Sequence, residues 1–195
     1  MNAVQSLGFI FKHVGKMEQF SFLKINVINH NPGIHAREWV GPATVLYLAN
    51  QLTEQLSFEN QDLIENLSWF IVPVVNVDGY KYSWDEDRLW KKTRSDYGSP
   101  FGCIGTDLVR NWDWHFGGNG TSDDLCSEIF HGPEAFSESE SRSVRDFISR
   151  HNVHGQIRGF LDVHSFSQEI LMSPGWDQAA NPPFTEERLQ AAEKV

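Results

Sequence analysis

The chain has 195 residues, 40% of them hydrophobic and 13% aromatic, which suits one domain with a core of ordinary size and argues against disorder. Acidic residues outnumber basic ones 26 to 16, for a net charge of −10, and no Lys/Arg-rich stripe occurs, so a nucleic-acid-binding face is excluded. No run of ~18 apolar residues is present, so no membrane-spanning helix is expected, and the opening MNAVQSLGFIFKHVGK lacks the basic start and sustained apolar stretch of a signal peptide.

Residues 21–29, SFLKINVIN, are rich in β-branched and aromatic side chains and run into the breakers Asn31, Pro32 and Gly33, which predicts a strand ending in a turn. From Glu38 onward Val40, Leu46, Leu48, Ala49, Leu52 and Leu56 recur at helical spacing, with Pro42 early enough for a first turn. His35 therefore sits on a strand-to-helix connection. Residues 69–77, WFIVPVVNV, suit a strand covered on both faces and ended by Asp78 and Gly79. The stretch 83–126 has little periodicity but many aromatics, arginines and glycines, as a long functional surface loop would. Ser137 and Glu140 fit a capping box for a helix whose apolar face is Val144, Phe147 and Ile148. IRGFLDVHS then reads as a buried strand, EILMSPG as a further strand and TEERLQAAEKV as a final helix without a stop signal. Strands alternating with amphipathic helices define an α/β class, with a mixed, largely parallel twisted sheet and helices on both faces. Ligands in such sheets gather at the carboxyl ends of strands, where His35 and His164 both fall.

His35 and Glu38 stand three residues apart at the entrance of a helix, about one turn, so an imidazole nitrogen and a carboxylate can converge on one cation. A catalytic metal of this kind takes three protein ligands and keeps one position open, and His164, after the apolar FLDV, supplies a third donor. Taken alone, the pair is equally explained by a solvated glutamate at a helix start. Cys103 and Cys126 lie in a turn-rich stretch where a disulfide and two free thiols both fit; a bridge would add on the order of 3 kcal/mol and needs an oxidising compartment. The remaining histidines, His13, His30, His115, His131, His151 and His154, have no partner at ligand spacing and are expected on the surface.

The blocks NPGIHAREWV, FIVPVVNVDGYKYSW, DRLWKKTRS, RNWDWHFGG, CSEIFHGPEAFSE and DVHSFSQ resemble, in order and spacing, the zinc metallocarboxypeptidases of the pancreatic A and B type, over residues 31–175. The resemblance implies one Zn2+ per chain, held by His35, Glu38 and His164, with Asp107 accepting the second ring N–H of His35. It implies that Arg110 anchors the substrate's terminal carboxylate, that Arg37, Arg88 and Ser165 line the neighbouring subsites, and that Cys103 pairs with Cys126. The expected protein is an extracellular, monomeric peptidase domain acting on peptide and protein C-termini, with no nucleic-acid or membrane partner. Residues 1–195 form a single, partial catalytic domain in this reading, with residues 1–20 unassigned.

Three positions depart from the family pattern. Lys91 stands where the family has the arginine that stabilises the oxyanion, keeping charge but losing the fork of donors. Val109 replaces the asparagine before the carboxylate-binding arginine. The family's general-base glutamate is expected beyond Val195, and without it proton transfer loses on the order of 10²- to 10⁴-fold. These departures motivate an alternative, a catalytically impaired zinc- or peptide-binding fragment; a third reading is an α/β protein in which the His and Glu residues are structural.

Overall fold

β1 (Ile25–Asn29) lies between β2 (Leu67–Ile71) and β3 (Ile157–Leu161), parallel to both, in a sheet of order β2-β1-β3. The computed structural model describes residues 25–29, 33–55, 61, 67–154, 157–167, 169–171 and 190. In the register of the sheet Asn29 is opposite Ile71 on one side and Leu161 on the other, so the three strands finish level. The segments that follow them therefore leave from one edge. Parallel neighbours need crossovers, and helices provide them. α1 (Val40–Asn50), continued by the π-helical turn Gln51–Gln55, connects β1 to β2; α2 (Val77–Asp85) follows β2, and α3 (Ser139–His151) precedes β3. All pairing among the described residues is parallel, so the expected mixed character is not displayed by them.

The strand expected over 69–77 ends early. β2 stops at Ile71 because Pro73 has no N–H for a ladder, and the rest of the apolar run is an irregular segment whose Val72 and Val75 enter the core. Asp78 and Gly79 do not end a strand but open α2, where Asn76 is the N-cap and its Oδ1 accepts the Gly79 N–H at 3.0 Å. The helical phase of α1 also differs. Val45 is fully buried and Gly41, Pro42 and Leu52 accompany it, whereas Val40 and Leu46 face outward. The buried stripe of 41, 45 and 52 keeps 3.6-residue periodicity but is turned from the one read off the larger apolar side chains.

The core joins Ile34, Val72, Val75 and Leu108 to Val144 of α3, with Val109, Trp112 and Ile148 packed against it. Ile34, Val72 and Val75 lie on connections and Leu108 on a single 3-10 turn, so the stretch 83–126, much of it exposed as expected, also reaches the core. Lys92, Thr93, Thr106, Asp107 and Asn111 within it are buried. β3 was expected to be buried, yet Phe160 and Leu161 are about half exposed, and Glu169–Leu171 are not strand. Residues 172–175 of the further strand, residues 21–24 of the first, Leu56, and the final helix apart from Gln190 lie outside the described residues, as do His13 and His30. His115 and His154 are exposed as expected. His131 and His151 are half-buried instead: His131 packs on Phe130 and Phe116, and His151 stacks on Phe147 at 4.1 Å.

The capping box expected at Ser137 and Glu140 does not form. α3 begins one residue later, its N-cap Glu138 making no side-chain cap bond, and the Glu138 N–H is accepted by Asn111 Oδ1 at 3.2 Å from another segment. Glu138 instead turns a fully buried carboxylate inward. Its Oε2 accepts Thr93 Oγ1–H at 2.7 Å and Ser95 Oγ–H at 2.5 Å; its Oε1 accepts Ser137 Oγ–H at 3.0 Å and Tyr97 Oη–H. Burial and the bond to this carboxylate push the Tyr97 phenol up to about 12. Glu138→Gln would set an amide N–H against hydroxyl donors in a dry site, and the expected cost is about 2–4 kcal/mol in urea unfolding. A loss under ~0.5 kcal/mol would show that the carboxylate does not hold these segments together.

Candidate metal centre

The turn after β1 and the segment after β3 leave the same edge of the sheet on adjacent strands, which brings His35 and Glu38 to His164. Gly33 starts the first of them at φ +70, a conformation that favours glycine, and a Cβ there would meet Pro42 Cγ at 3.2 Å. The backbone beyond is fixed by α2 and by the segment after it. Gly33 O accepts Asn76 N–H at 3.1 Å, Ile34 O accepts Asn76 Nδ2–H at 3.2 Å, and the Ala36 N–H donates to Lys91 O at 3.0 Å. Asp107 arrives as N-cap of the short 3-10 helix Leu108–Arg110, its Oδ1 accepting Val109 N–H at 3.1 Å.

Glu38 stands between the two imidazoles. Its Oε1 is 2.8 Å from His35 Nδ1 and its Oε2 is 2.8 Å from His164 Nδ1, while the Ser165 N–H donates to Oε2 at 3.2 Å. The ring centroids of the two histidines are 4.9 Å apart, and one ligand atom from each of the three residues lies within 4.8 Å of the others. The opposite nitrogens also face carboxylates: His35 Nε2 is 3.0 Å from Asp107 Oδ1, and His164 Nε2 is 3.1 Å from Asp162 Oδ2.

This donor set fits a divalent cation. A neutral imidazole donates from one nitrogen only, so a ring flanked by carboxylates on both sides must either be protonated or present a lone pair to a cation on one side. With the Nε2–H directed at Asp107 or Asp162, each Nδ1 lone pair is left facing Glu38, and two nitrogens and a carboxylate meet. Without a cation, a proton takes its place at His164. Burial works against the charged form of His164, but bonds to Asp162 and Glu38 outweigh it and raise its pKa to about 10. Burial would likewise raise Glu38, yet the two histidines hold it down to about 2; Asp107, also opposed by burial, is held at about 2 by His35 and Lys91.

Asp162 was not anticipated. Its signal in the sequence was its place two residues before His164, where a strand's alternation returns a side chain to the same face. The other expected residues have contacts of their own. Arg110 Nε–H donates to Gly120 O at 3.0 Å, and the Arg110 N–H donates to Asp107 O at 2.9 Å. Arg37 pairs with Glu128 at 3.2 Å in an exposed contact, and Arg88 donates to Arg37 O at 2.8 Å while stacking 3.7 Å over Trp39. Trp39 in turn stacks on Trp84 at 3.8 Å. Lys91, expected at the oxyanion, places its ammonium 2.8 Å from Asp107 Oδ2 and 3.2 Å from Glu128 O. Cys103 and Cys126 form a disulfide with their Cα atoms 5.1 Å apart.

A profile of the zinc carboxypeptidase family matches residues 23–195. Carboxypeptidase B of Astacus astacus is 46% identical over 151 residues, covering 77% of this chain and 48% of that protein. An inactive metallocarboxypeptidase of Talaromyces marneffei is 42% identical over 160 residues, covering 79% of this chain and 26% of that protein. The crystal structure of thrombin activatable fibrinolysis inhibitor superposes with a TM-score of 0.81 at 36% identity, covering 92% of this chain and 44% of that one. The chain spans less than half the length of each of these proteins, and its fold is the α/β carboxypeptidase fold.

Zinc must displace the proton that His164 holds up to about pH 10, whereas Glu38 at about 2 is already ionised. Apparent zinc affinity is therefore expected to rise with pH, by up to about tenfold per unit between about pH 6 and 9. Competition with a chromophoric chelator across that range measures it. Asp162→Asn removes one of the two carboxylates that raise His164, so its slope should flatten toward the upper end of the range; a wild-type profile flat from the start contradicts the assignment.

Proposed function

We propose, because the chain belongs to the zinc carboxypeptidase family, that it carries the metal-binding and substrate-anchoring part of an enzyme that hydrolyses the C-terminal peptide bond of peptides and proteins. The observation that carries this reading is the meeting of His35 Nδ1, Glu38 and His164 Nδ1, each imidazole backed by a carboxylate. When bound, zinc supplies Lewis acidity and a water acidic enough to act near neutral pH. Every other role falls to protein groups.

Arg110 is the proposed anchor of the substrate's free carboxylate, because a guanidinium stays charged and pairs bidentately with it. Among the described residues its side-chain partner is the Gly120 carbonyl at Nε, which leaves the terminal nitrogens for a ligand in this reading. Arg37, Arg88 and Ser165 line the approach in this reading; the Trp39–Trp84 stack under Arg88 limits its freedom. Ser165 contributes its N–H to Glu38, leaving its hydroxyl for the substrate backbone. Lys91 would have to leave Asp107 to reach a developing oxyanion. The general base is the family's glutamate, outside the blocks matched here. The disulfide supports an extracellular setting, and a monomer with one Zn2+ is the simplest state consistent with it.

A second reading keeps the metal and the peptide but not turnover. It is supported by Lys91 and Val109, and by a relative named as inactive at 42% identity. The two separate in one experiment on the zinc-loaded protein with a blocked dipeptide. The enzyme reading expects release of the terminal residue, its loss in His164→Ala and with chelator, and none from an amidated substrate. Arg110→Met is expected to lower kcat/KM by on the order of 100-fold, chiefly through KM. Equal release by the wild type and His164→Ala removes the enzyme reading; stoichiometric zinc with no release from protein that carries the general-base glutamate selects the second.

A further inference from the structure

We propose that Lys91 is a positioning residue of the metal centre, holding Asp107 against His35, and that the zinc affinity of this protein depends on it. The inference rests on the zinc reading above and concerns a contact that reading does not use.

Asp107 is completely buried and its two oxygens have separate duties. Oδ1 meets His35 Nε2 at 3.0 Å and the Val109 N–H at 3.1 Å; Oδ2 meets Lys91 Nζ at 2.8 Å. A side chain that rotates freely about Cβ–Cγ is thereby fixed at both ends, so the oxygen presented to His35 has one direction. The same lysine is also fixed to the His35 segment through its backbone. Its carbonyl accepts the N–H of Ala36, next to His35, at 3.0 Å, and lies 3.4 Å from Asn76 Nδ2. Lys91 thus contacts the His35 segment twice, once through the main chain and once through Asp107.

The energetics favour this use. An ammonium and a carboxylate both out of solvent each carry a desolvation cost that the other's charge helps to offset, so removing one partner leaves a buried charge without its ion pair. Glu128 O takes a second ammonium proton at 3.2 Å. Asp107 without Lys91 would relax toward other donors or retract, and His35 would lose the acceptor that fixes its tautomer and ring plane. Disturbing such an outer partner of a metal-bound histidine costs 10–100-fold in affinity as a general order of magnitude.

The test is zinc affinity by chelator competition on the whole chain, which requires no turnover. Lys91→Met is expected to weaken zinc binding by about tenfold and Lys91→Arg to hold it near wild type. In a double-mutant cycle, Lys91→Met on top of Asp107→Asn should add little, because both act through one carboxylate. Unchanged or tighter binding in Lys91→Met, or fully additive effects in the cycle, overturns the proposal. If Lys91→Met does not fold, Lys91→Gln, which keeps a donor without the charge, takes its place, read on the same scale with its thermal midpoint measured in parallel. A lysine that is merely structural moves that midpoint and not the affinity of the folded chain. Absence of zinc binding in the wild type would instead sink the zinc reading itself.

Discussion

Glu38 is the point at which two distant parts of the chain are joined. One of its oxygens faces His35, three residues away, and the other faces His164 and the N–H of Ser165, 126 and 127 residues on. Nothing local could place His164 there. The parallel pairing of β1 with β3 does so, because strands that run the same way and finish level release their next residues on the same side. The sheet is thus the device that converts sequence distance into a ligand distance, and the helical turn at Glu38 supplies the last few ångströms.

Charge is distributed around that carboxylate in two tiers. Inside, Glu38 and two imidazoles face one another; outside, Asp107 and Asp162 face the remaining nitrogens. The tiers are not equivalent. Asp107 is buried and shared with Lys91, whereas Asp162 is exposed and water competes for it. The side of the site at His35 is consequently stiff and the side at His164 more responsive to solvent. The difference follows from position: His35 is enclosed by the connections after β1 and β2 and by the 106–111 segment, while His164 follows β3, the outer strand among the described residues, whose Phe160 and Leu161 are half exposed.

What could be read from sequence divides along physical lines. The strand of 21–29 and the helix after it were legible in residues 25–29 and 40–50, since β-branched density and period report directly on local conformation. That His35, Glu38 and His164 would come together was legible because metal chemistry restricts residue type and spacing, and ordered blocks added what spacing could not. The run 69–77 misled because an apolar stretch signals burial without signalling conformation: Val72 and Val75 are core residues of an irregular segment. The capping box misled for a related reason. Ser137 and Glu140 have the pattern, but the Ser137 N–H goes to Glu134 O and its hydroxyl is held by Glu138 and by Asn111 from a segment remote in sequence, a competitor that no local rule registers. Asp162 and the link from Lys91 to Asp107 were missed because second contacts depend on side-chain direction in the assembled fold.

The long stretch between α2 and α3 shows how a site can be rigid without regular structure. A backbone outside helices and sheets still has donors and acceptors to satisfy when buried, and side chains must then meet them. Beside backbone–backbone bonds, Asn76 and Asn111 meet such groups here, and Glu138 gathers side-chain hydroxyls. Asn76 reaches the carbonyls of Ile34 and Lys92; Asn111 lies 2.8 Å from His131 O and 3.1 Å from Glu134 O through Nδ2 and accepts Ser141 Oγ–H at 2.6 Å; Glu138 collects Thr93, Ser95, Tyr97 and Ser137. Where segments cross closest even a Cβ is excluded: one on Gly105, at φ +82, would stand 2.2 Å from Thr93 O. Each hub ties at least two segments that are far apart in sequence, so this irregular region is cross-linked by polar groups much as a sheet is by its ladder. The bonds are individually modest but buried, and leaving any one unmade costs more than making it gains. That asymmetry keeps Asp107 and Lys91 at fixed distances from His35, and it makes this irregular region as much a part of the candidate metal centre as the strands that lead into His35 and His164.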